Sequence, residues 1–273
     1  MTSTKGRSVP SLGKYWAIFT INLQNRFVYV MDLVWSGLSL VMFVFIFTQL
    51  WRVAYGSAGL TNLRGYTLAE VIWYFMFAEA IVLSHPRLTD TIDFEVKQGS
   101  IAYGLTKPYS YLLYHYATFL AEVSLRFVIN VLIGSLVVML TIGNPPVTFS
   151  GLPNLLLSVL LSSAVQFCLL MAIGLAAFWL EDTRSIYFIY QKFLFLLGGM
   201  LLPLELFPRF IQKMAGLLPL RYVVHGPAKM FVKYDSAHWR QLTAGQIGWL
   251  LALALIVTGI YRMGVKKLNV NGG

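Results

Sequence analysis

The sequence contains little charge and a single cysteine. Only 12% of its 273 residues are charged, about half the share found in a typical soluble domain. Charged residues are scarce along the whole chain, so part of the folded protein must lie in an environment other than water. The lone cysteine, Cys168, cannot form an internal disulfide, and the lack of a Cys/His cluster argues against a zinc site.

The chain also lacks the common motifs of phosphate binding and hydrolysis. It has no Gly-x-x-x-x-Gly-Lys-Ser/Thr stretch, no His-Glu-x-x-His and no Gly-x-Ser-x-Gly. Its four histidines, His85, His115, His225 and His238, are too scattered for a metal-ligand spacing. We therefore expect no enzyme activity and no cofactor bound by this chain. Uphill transport would need an ion gradient or another polypeptide as its energy source.

Long apolar segments dominate the sequence. Hydrophobic residues make up 58% of the chain, and its mean hydropathy is +0.68. A spanning helix needs about 20 mostly apolar residues, and short polar gaps separate six such segments. The predicted spans are Phe27–Trp51, Leu68–Ser84, Ala117–Ile142, Leu152–Leu180, Ile186–Leu206 and Ile247–Tyr261. The predicted fold class is an all-α membrane protein with six transmembrane helices, forming one domain over residues 1–273.

Basic residues account for the net charge of +10 and predict the orientation of the spans. They flank the apolar segments, with Lys5, Arg7, Lys14 and Arg26 before the first and Arg262, Lys266 and Lys267 after the last. This placement favours contact with membrane lipids and argues against nucleic acid as a partner. It predicts a multi-pass membrane protein with both termini cytoplasmic, and the cell inner (plasma) membrane is its expected location. The last outer segment departs from this rule, because it carries Arg209, Lys213, Arg221, Lys229, Lys233 and Arg240.

Residues 11–26 precede the first span and have an amphipathic pattern. Leu12, Tyr15, Trp16, Phe19 and Leu23 recur at spacings of three and four. Such an aromatic-rich face is typical of an interfacial helix that lies in the headgroup region. The alternative is that the first span begins early.

Prolines interrupt the chain before the last span. Residues 203–240 contain Pro203, Pro208, Pro219 and Pro227, a density that favours short, broken helices. Broken helices at membrane depth persist only where protein or a water-filled cavity covers their backbone. We therefore predict a pair of short re-entrant or outer-side helices in this region.

A second interruption, residues 86–108, lies between the second and third predicted spans. Its charged residues are Arg87, Asp90, Asp93, Glu95 and Lys97, and Gly99 follows them. The pattern predicts a short helix on the cytoplasmic face, followed by turns. Such an element could bind a partner protein. The alternative interpretation is that residues 86–108 form an ordinary inner loop.

Charged residues within the predicted spans are costly in lipid and often mark function. They are Asp32, Glu70, Glu79, Glu122 and Arg126. Glu122 and Arg126 are four residues apart, so they share one helix face and can pair. Such a pair is more often structural than substrate-binding. Glu79 has no partner nearby in sequence, and it could line a cavity, contact another subunit or be neutralised by Lys192.

Two runs of residues carry a resemblance to a known family. The run Gly199-Met-Leu-Leu-Pro-Leu-Glu-Leu-Phe-Pro208, followed by Leu218-Pro-Leu-Arg-Tyr222 and Gly226-Pro227, is similar to the Pro-Leu…Phe-Pro…Leu-Pro…Pro run of ABC-2 type permeases. The run Gly99-Ser-Ile-Ala-Tyr-Gly-Leu-Thr-Lys-Pro108 resembles the cytoplasmic Gly-x-Ile…Leu-x-x-Pro of one ABC-2 subgroup. Together with the order of spans and interruptions, they make nearly the whole chain resemble the membrane subunit of an ATP-binding-cassette exporter.

This resemblance implies a permease that dimerises with a second copy or a paralogous permease and docks two ABC ATPase subunits. ATP and Mg would then bind to the partner ATPase. The interfacial helix would face the ATPase together with residues 86–108, whose candidates are Arg87, Asp90, Asp93, Glu95, Lys97 and Gly99. The outer-side broken-helix motif would comprise Pro203, Glu205, Pro208, Pro219 and Pro227. The resemblance names no substrate.

An ion-coupled secondary transporter or channel is the alternative function. Glu70, Glu79 and Glu122 would then act as proton-carrying groups. Such proteins often contain internal repeats with matched interrupted helices, whereas this sequence shows one Pro/Gly-broken region without a counterpart in its first half. The permease interpretation is therefore favoured.

Overall fold

A computed structural model describes residues 11–26 and 30–271 of the chain. Within these ranges the protein is helical, and its one β-type pairing is an isolated bridge between Leu63 and Tyr66. The α-helices are α1 (Ser11–Arg26), α2 (Val30–Ser57), α3 (Leu68–Leu83), α4 (Leu88–Lys97), α5 (Ile101–Leu105), α6 (Tyr111–Thr141), α7 (Leu152–Leu175), α8 (Arg184–Leu197), α9 (Arg209–Gly216), α10 (Leu220–Val223), α11 (His225–Val232) and α12 (Ser236–Asn271). Lys5 and Arg7 lie outside the described residues.

Five helical segments in the described part of the chain are long and apolar enough to cross a membrane. They are Leu33–Ser57, Leu68–Lys97, Tyr111–Thr141, Leu152–Phe178 and Ser236–Lys267, of which the second joins α3 and α4. Each overlaps one of the predicted spans. The third and last are longer than predicted, because α6 has 31 residues and α12 has 36.

The remaining predicted span, Ile186–Leu206, is wrong as one continuous helix. Helix α8 ends at Leu197 after 14 residues, because Gly199 adopts a positive φ of 72° that a helix does not allow. Pro203 follows and caps a short 3₁₀ helix. At about 21 Å, α8 is shorter than the ~30 Å hydrocarbon core of a bilayer.

Elements from distant parts of the sequence lie at one end of the helix bundle, which is here called the α4 end. The hydroxyl oxygen of Tyr15 in α1 accepts a hydrogen bond from the Ser110 N–H over 2.9 Å. The ammonium of Lys267 in α12 donates to the Phe178 carbonyl over 2.8 Å. Helix α1, the start of α6, the segment after α7 and the last turns of α12 therefore share this end.

The opposite end, here called the α9 end, joins the loop before α3 to the segment before α9. Arg64 donates hydrogen bonds to the carbonyls of Glu205 and Phe207 over 3.1 and 3.0 Å. The side-chain amide of Asn154 in α7 donates to the Tyr234 hydroxyl over 2.6 Å. The region rich in proline thus lies at the end of the bundle away from α4.

Helix α3 forms the centre of the bundle. Residues 71–81 are all buried, so α3 is packed on every face, as is typical of a helix surrounded by other helices. Helices α2, α6 and α11 pack around it. Gly134 allows the close approach of α6, since a Cβ at this position would lie 2.7 Å from the Met76 sulfur.

The outer faces of the long helices are strongly apolar. Trp35 in α2, Leu132 in α6 and Leu255 in α12 are 61%, 65% and 76% exposed. Large apolar side chains are exposed in far greater number here than is usual on soluble monomers. Together with the five candidate spans, it makes the chain a helical multi-pass membrane protein.

Candidate functional site

The coupling segment, defined here as residues 86–108, folds into α4 and α5. Helix α4 is amphipathic, and its buried residues include Leu88, Ile92 and Val96. These residues belong to the helix that packs on α7. The spacing of four residues between them places all three on one helix face, which leaves the other face exposed.

Close packing of α4 on α7 depends on Gly174. A Cβ added at Gly174 would lie 2.7 Å from the Ile92 Cβ and 3.3 Å from the Thr89 carbonyl oxygen. The Thr89 hydroxyl also donates a hydrogen bond to the Leu170 carbonyl over 3.3 Å. Helix α4 therefore lies directly against the backbone of α7.

Asp93 links α4 to the start of α8. Its Oδ1 accepts a hydrogen bond of 2.7 Å from the Thr183 hydroxyl, and its Oδ2 lies 2.8 Å from the Lys97 ammonium. Thr183 is fully buried and is the N-cap residue of α8. The Asp93 carboxylate therefore faces the bundle.

Glu95 links α4 to α6. Its Oε2 accepts a hydrogen bond of 2.7 Å from the Tyr111 hydroxyl and lies 3.2 Å from His115 Nε2. The Tyr111 ring in turn stacks on Tyr261 of α12, with ring centroids 5.4 Å apart. Glu95 thus connects the coupling segment to two of the long helices.

Two aromatic side chains of the coupling segment are exposed, one in α4 and one in α5. Phe94 is 62% exposed and Tyr103 is 75% exposed, and Asp90 is also exposed. Sequence reasoning missed both aromatic residues because it followed the charges. The helical period offered a signal for Phe94, which lies midway between the buried residues Ile92 and Val96 and four residues after Asp90.

Arg87 and Gly99 mark the two ends of α4. Arg87 occupies the N-cap position, is exposed and makes no side-chain capping hydrogen bond. Gly99 has a φ of 69°, a conformation that favours glycine. The turn at Gly99 allows two short helices where the sequence predicted one.

The predicted intramembrane charges lie in different environments. Glu70 forms a capping box with Thr67 at the start of α3, where its Oε2 accepts the Thr67 N–H over 2.8 Å. The Glu122 carboxylate lies 2.8 Å from the Arg126 guanidinium, as their spacing indicates. The side chain of Asp32 lies outside the described residues.

Glu79 is the most deeply buried of these charges. It is 2% exposed, and its Oε2 has no hydrogen-bond partner among the described residues. Lys192 is exposed, and its ammonium lies 4.7 Å from the centroid of the Phe188 ring. The suggested pair of Glu79 and Lys192 is absent from the ion pairs of the described residues.

The prolines of the broken-helix motif stand at helix starts. Pro203, Pro208 and Pro219 are the N-cap residues of the 3₁₀ helix Leu204–Leu206, of α9 and of α10. Pro227 is the third residue of α11. The missing N–H of proline removes no helical hydrogen bond in the first turn, so these residues divide the region into separate short helices.

Glu205 is the centre of a polar cluster at the α9 end. Its Oε1 lies 2.5 Å from the Lys229 ammonium and 3.6 Å from His225 Nε2, and its Oε2 accepts the Tyr66 hydroxyl over 3.1 Å. Burial raises the pKa of Glu205, but hydrogen bonds and charge from His225 and Lys229 outweigh it and hold the pKa well below its usual range. The cluster joins α11 to the loop before α3.

Replacement of Glu205 by glutamine is expected to lower the free energy of unfolding in detergent by about 2 kcal/mol, because hydrogen bonds to charged groups contribute ~1.5–3 kcal/mol. A carboxyl whose pKa is lowered by folding stabilises the protein above its unfolded-state pKa of about 4.3, and this stabilisation is lost as the pH falls through the folded-state pKa. The gap in thermal midpoint between wild type and variant should therefore shrink below about pH 4. The exposed residue Glu181 provides the control, Glu181→Gln. A gap that stays constant into strong acid would contradict this role.

The structure is that of a multi-pass helical membrane protein. Its amphipathic helix α4 packs at one end of the helix bundle. The profile of the family described as ABC-2 family transporter protein matches residues 26–272. The chain therefore belongs to the ABC-2 transporter family, which confirms the resemblance seen in the sequence. Members of this family are membrane components of transport systems. No curated protein matches the chain.

Proposed function

We propose that this chain is the permease subunit of an ATP-binding-cassette exporter, driven by separate ATPase subunits that bind ATP and Mg. The coupling segment is the observation that carries the proposal. It contacts α6, α7 and α8, and its exposed side chains include Phe94 and Tyr103. Exposed aromatic residues are frequent anchors of protein interfaces. Membership of the ABC-2 family supports an ATPase as the partner.

In this proposal the permease crosses the inner (plasma) membrane six times, with both termini cytoplasmic. The fifth crossing consists of α8 and the non-helical residues 198–203. It begins beside α4, where Thr183 contacts Asp93, and it leads to Glu205, whose carbonyl accepts a hydrogen bond from Arg64 at the α9 end. These contacts at opposite ends of the bundle support a complete crossing.

The non-helical part of this crossing is covered by protein. The Gly199 carbonyl accepts the Tyr74 hydroxyl over 2.5 Å, and the Gly198 carbonyl accepts the His225 N–H over 2.9 Å. Backbone outside a helix is tolerated at membrane depth when other elements satisfy its polar groups in this way.

The remaining elements complete a single domain over residues 1–273. Helix α1 serves as the interfacial helix beside the coupling segment, and the Lys14 ammonium lies 3.5 Å from the Pro108 carbonyl. Helices α9–α11 form the outer-side broken helices. Two permease chains, identical or paralogous, enclose the translocation pathway between them.

Force from the ATPase would reach the bundle through α4. Closure of the ATPase subunits on ATP pushes the exposed face of the coupling segment. Asp93 passes this displacement to α8, Glu95 passes it to α6, and the contact at Gly174 passes it to α7. The helices then tilt as rigid bodies around the pathway, a common form of switching.

The double variant Asp93→Asn, Glu95→Gln is expected to reduce permease-stimulated ATP hydrolysis about tenfold in reconstituted vesicles. A tenfold loss of rate corresponds to about 1.4 kcal/mol of activation free energy. Both carboxylates bond groups of the bundle, so their loss should leave membrane insertion and ATPase binding intact. Asp90→Asn, which changes an exposed carboxylate of the same helix, is the matched control. Full stimulation in the double variant would rule out this route of coupling.

Purification in mild detergent tests the proposed function. A soluble ATPase with a Walker A sequence should be recovered together with the chain. Recovery of the chain alone, with transport driven by a pH gradient and indifferent to ATP, would instead favour the ion-coupled transporter.

A further inference from the structure

An apolar groove of about 500 Å³ lies between α6, α7 and α12. Its wall on α12 includes Leu250, Ala254, Val257 and Tyr261, whose spacings of four, three and four residues place them on one helix face. These residues, here called the α12 stripe, extend over about 17 Å at the helical rise. That length is close to the depth of one bilayer leaflet, ~15 Å of hydrocarbon. The groove therefore matches the length of an acyl chain in one leaflet.

The floor of the groove is recessed between the helices. Ala164, Phe167 and Cys168 of α7 line it, and all three are buried. Leu113 on the α6 wall is exposed. An acyl chain in the groove thus contacts three helices together, and each additional pair of touching atoms adds dispersion attraction. A lipid on the outer face of one helix has no such enclosure.

The groove ends in polar residues at the α4 end of the bundle. Arg262 of α12 lines it together with Ser110, the N-cap residue of α6. The Arg262 side chain is exposed and has no ion pair among the described residues. A guanidinium binds phosphate through two parallel hydrogen bonds. Arg262 is therefore available to the phosphate of a lipid whose chain lies on the α12 stripe.

Helix α1 adds a second cation beside Arg262. The Tyr15 hydroxyl accepts the Ser110 N–H over 2.9 Å, and the Lys14 ammonium lies 3.5 Å from the Pro108 carbonyl oxygen. Lys14 is thus held close to the residue that shares the polar end of the groove with Arg262. Basic pockets between membrane-spanning helices are typical binding sites of anionic lipid headgroups.

Carboxylates are absent from the groove lining in the part of the chain that the structure describes. Glu95 bonds Tyr111, the residue after Ser110, but it lines a different cavity, which lies between α2, α4 and α6. A headgroup with net negative charge therefore meets cations without an opposing acid. A zwitterionic headgroup would bring its own ammonium close to Arg262, and like charges repel.

We propose that this groove binds an anionic phospholipid of the leaflet at the α4 end. One acyl chain lies along the α12 stripe, and the phosphate lies toward Arg262. The lipid joins α6, α7 and α12 and stabilises their packing. The site needs no ATPase and does not rest on the proposed permease function.

Native mass spectrometry of the purified, delipidated full-length chain tests the headgroup. Dioleoyl phosphatidylglycerol is expected to bind saturably and at least about tenfold more tightly than dioleoyl phosphatidylethanolamine. Arg262→Gln should weaken phosphatidylglycerol binding by about tenfold. Lys266→Gln is the matched control, because Lys266 is exposed one turn further along α12 and does not line the groove. Equal affinities for the two lipids, or equal effects of the two variants, would overturn the proposal in favour of general attraction to a basic surface.

Two further measurements test the position of the acyl chain. Ala254→Phe fills the groove and should weaken phosphatidylglycerol binding by about tenfold or more, whereas Ala252→Phe, at an exposed position outside the groove lining, should not. Phosphatidylglycerol with a diazirine in its acyl chain should crosslink to the α7 peptide that contains Cys168. Wild-type affinity in Ala254→Phe, or crosslinks on α2 and none on that peptide, would overturn the site. Loss of a dimer in Ala254→Phe at unchanged lipid affinity would assign the groove to a second copy of the chain. Because no ATPase is present, each failure leaves the proposed permease function standing.

Discussion

Replacing Phe94 by aspartate is expected to weaken binding of the ATPase to the permease by about 30-fold or more. Phe94 is 62% exposed on the outer face of α4, so its replacement leaves the packing on α7 intact. A central aromatic anchor contributes ~2–4 kcal/mol to a protein interface, and each 1.4 kcal/mol is about tenfold in affinity. A carboxylate buried at the same place would add a desolvation cost. Titration of the ATPase onto the permease in nanodiscs measures the effect.

Leu217→Asp is the matched control for Phe94→Asp. Leu217 is 78% exposed and follows α9, at the opposite end of the bundle. The control should bind the ATPase with wild-type affinity, and Phe94→Tyr should retain most of it. Equal loss in Phe94→Asp and Leu217→Asp, or no loss in either, would show that the exposed face of α4 is not the docking surface.

Replacing Gly174 by valine is expected to reduce permease-stimulated ATP hydrolysis by about tenfold or more while ATPase binding persists. The added Cβ would meet Ile92 at 2.7 Å, and the valine methyl groups would extend the clash. Overpacking of this kind typically costs about 1–3 kcal/mol and displaces the neighbouring element. Here that element is α4, so the docking face remains but its connection to α7 is disturbed.

Gly259→Val tests whether the effect depends on this contact. Gly259 lies in α12, and a Cβ there would meet no atom within 4 Å. It makes the same chemical change in another long helix and should leave stimulation unchanged. Measurement of both ATPase binding and ATP hydrolysis separates loss of coupling from loss of folding. Wild-type stimulation in Gly174→Val would contradict the transmission of force through α4 and α7.

Hydropathy predicted where the long helices lie, because lipid-facing and buried helices are both apolar. It could not predict that the helix within Ile186–Leu206 ends at Leu197. That break at Gly199 is stabilised by Tyr74, 125 positions earlier in the chain. A long-range contact of this kind leaves no local pattern in the sequence.

Charge drew attention to residues 86–108 but did not predict which side of α4 is exposed. Asp93 and Glu95 were expected to face a partner, since charged side chains usually face water. The structure turns them to the bundle, where Thr183 and Tyr111 provide hydrogen bonds. The positions of these partners depend on the packing of α4 against α6, α7 and α8, which a single sequence does not reveal.

Crosslinking from defined positions in intact membranes tests the central claim most directly. Cys168 is the single cysteine of the chain, so Cys168→Ser gives a background in which Tyr103→Cys and Leu217→Cys each carry one photo-crosslinker. Tyr103 lies in the coupling segment, whereas Leu217 lies at the other end of the bundle. We predict that Tyr103→Cys captures an ATPase subunit with a Walker A sequence and that Leu217→Cys captures none. Capture from position 217, or no ATPase captured from position 103, would contradict a permease driven through its α4 end.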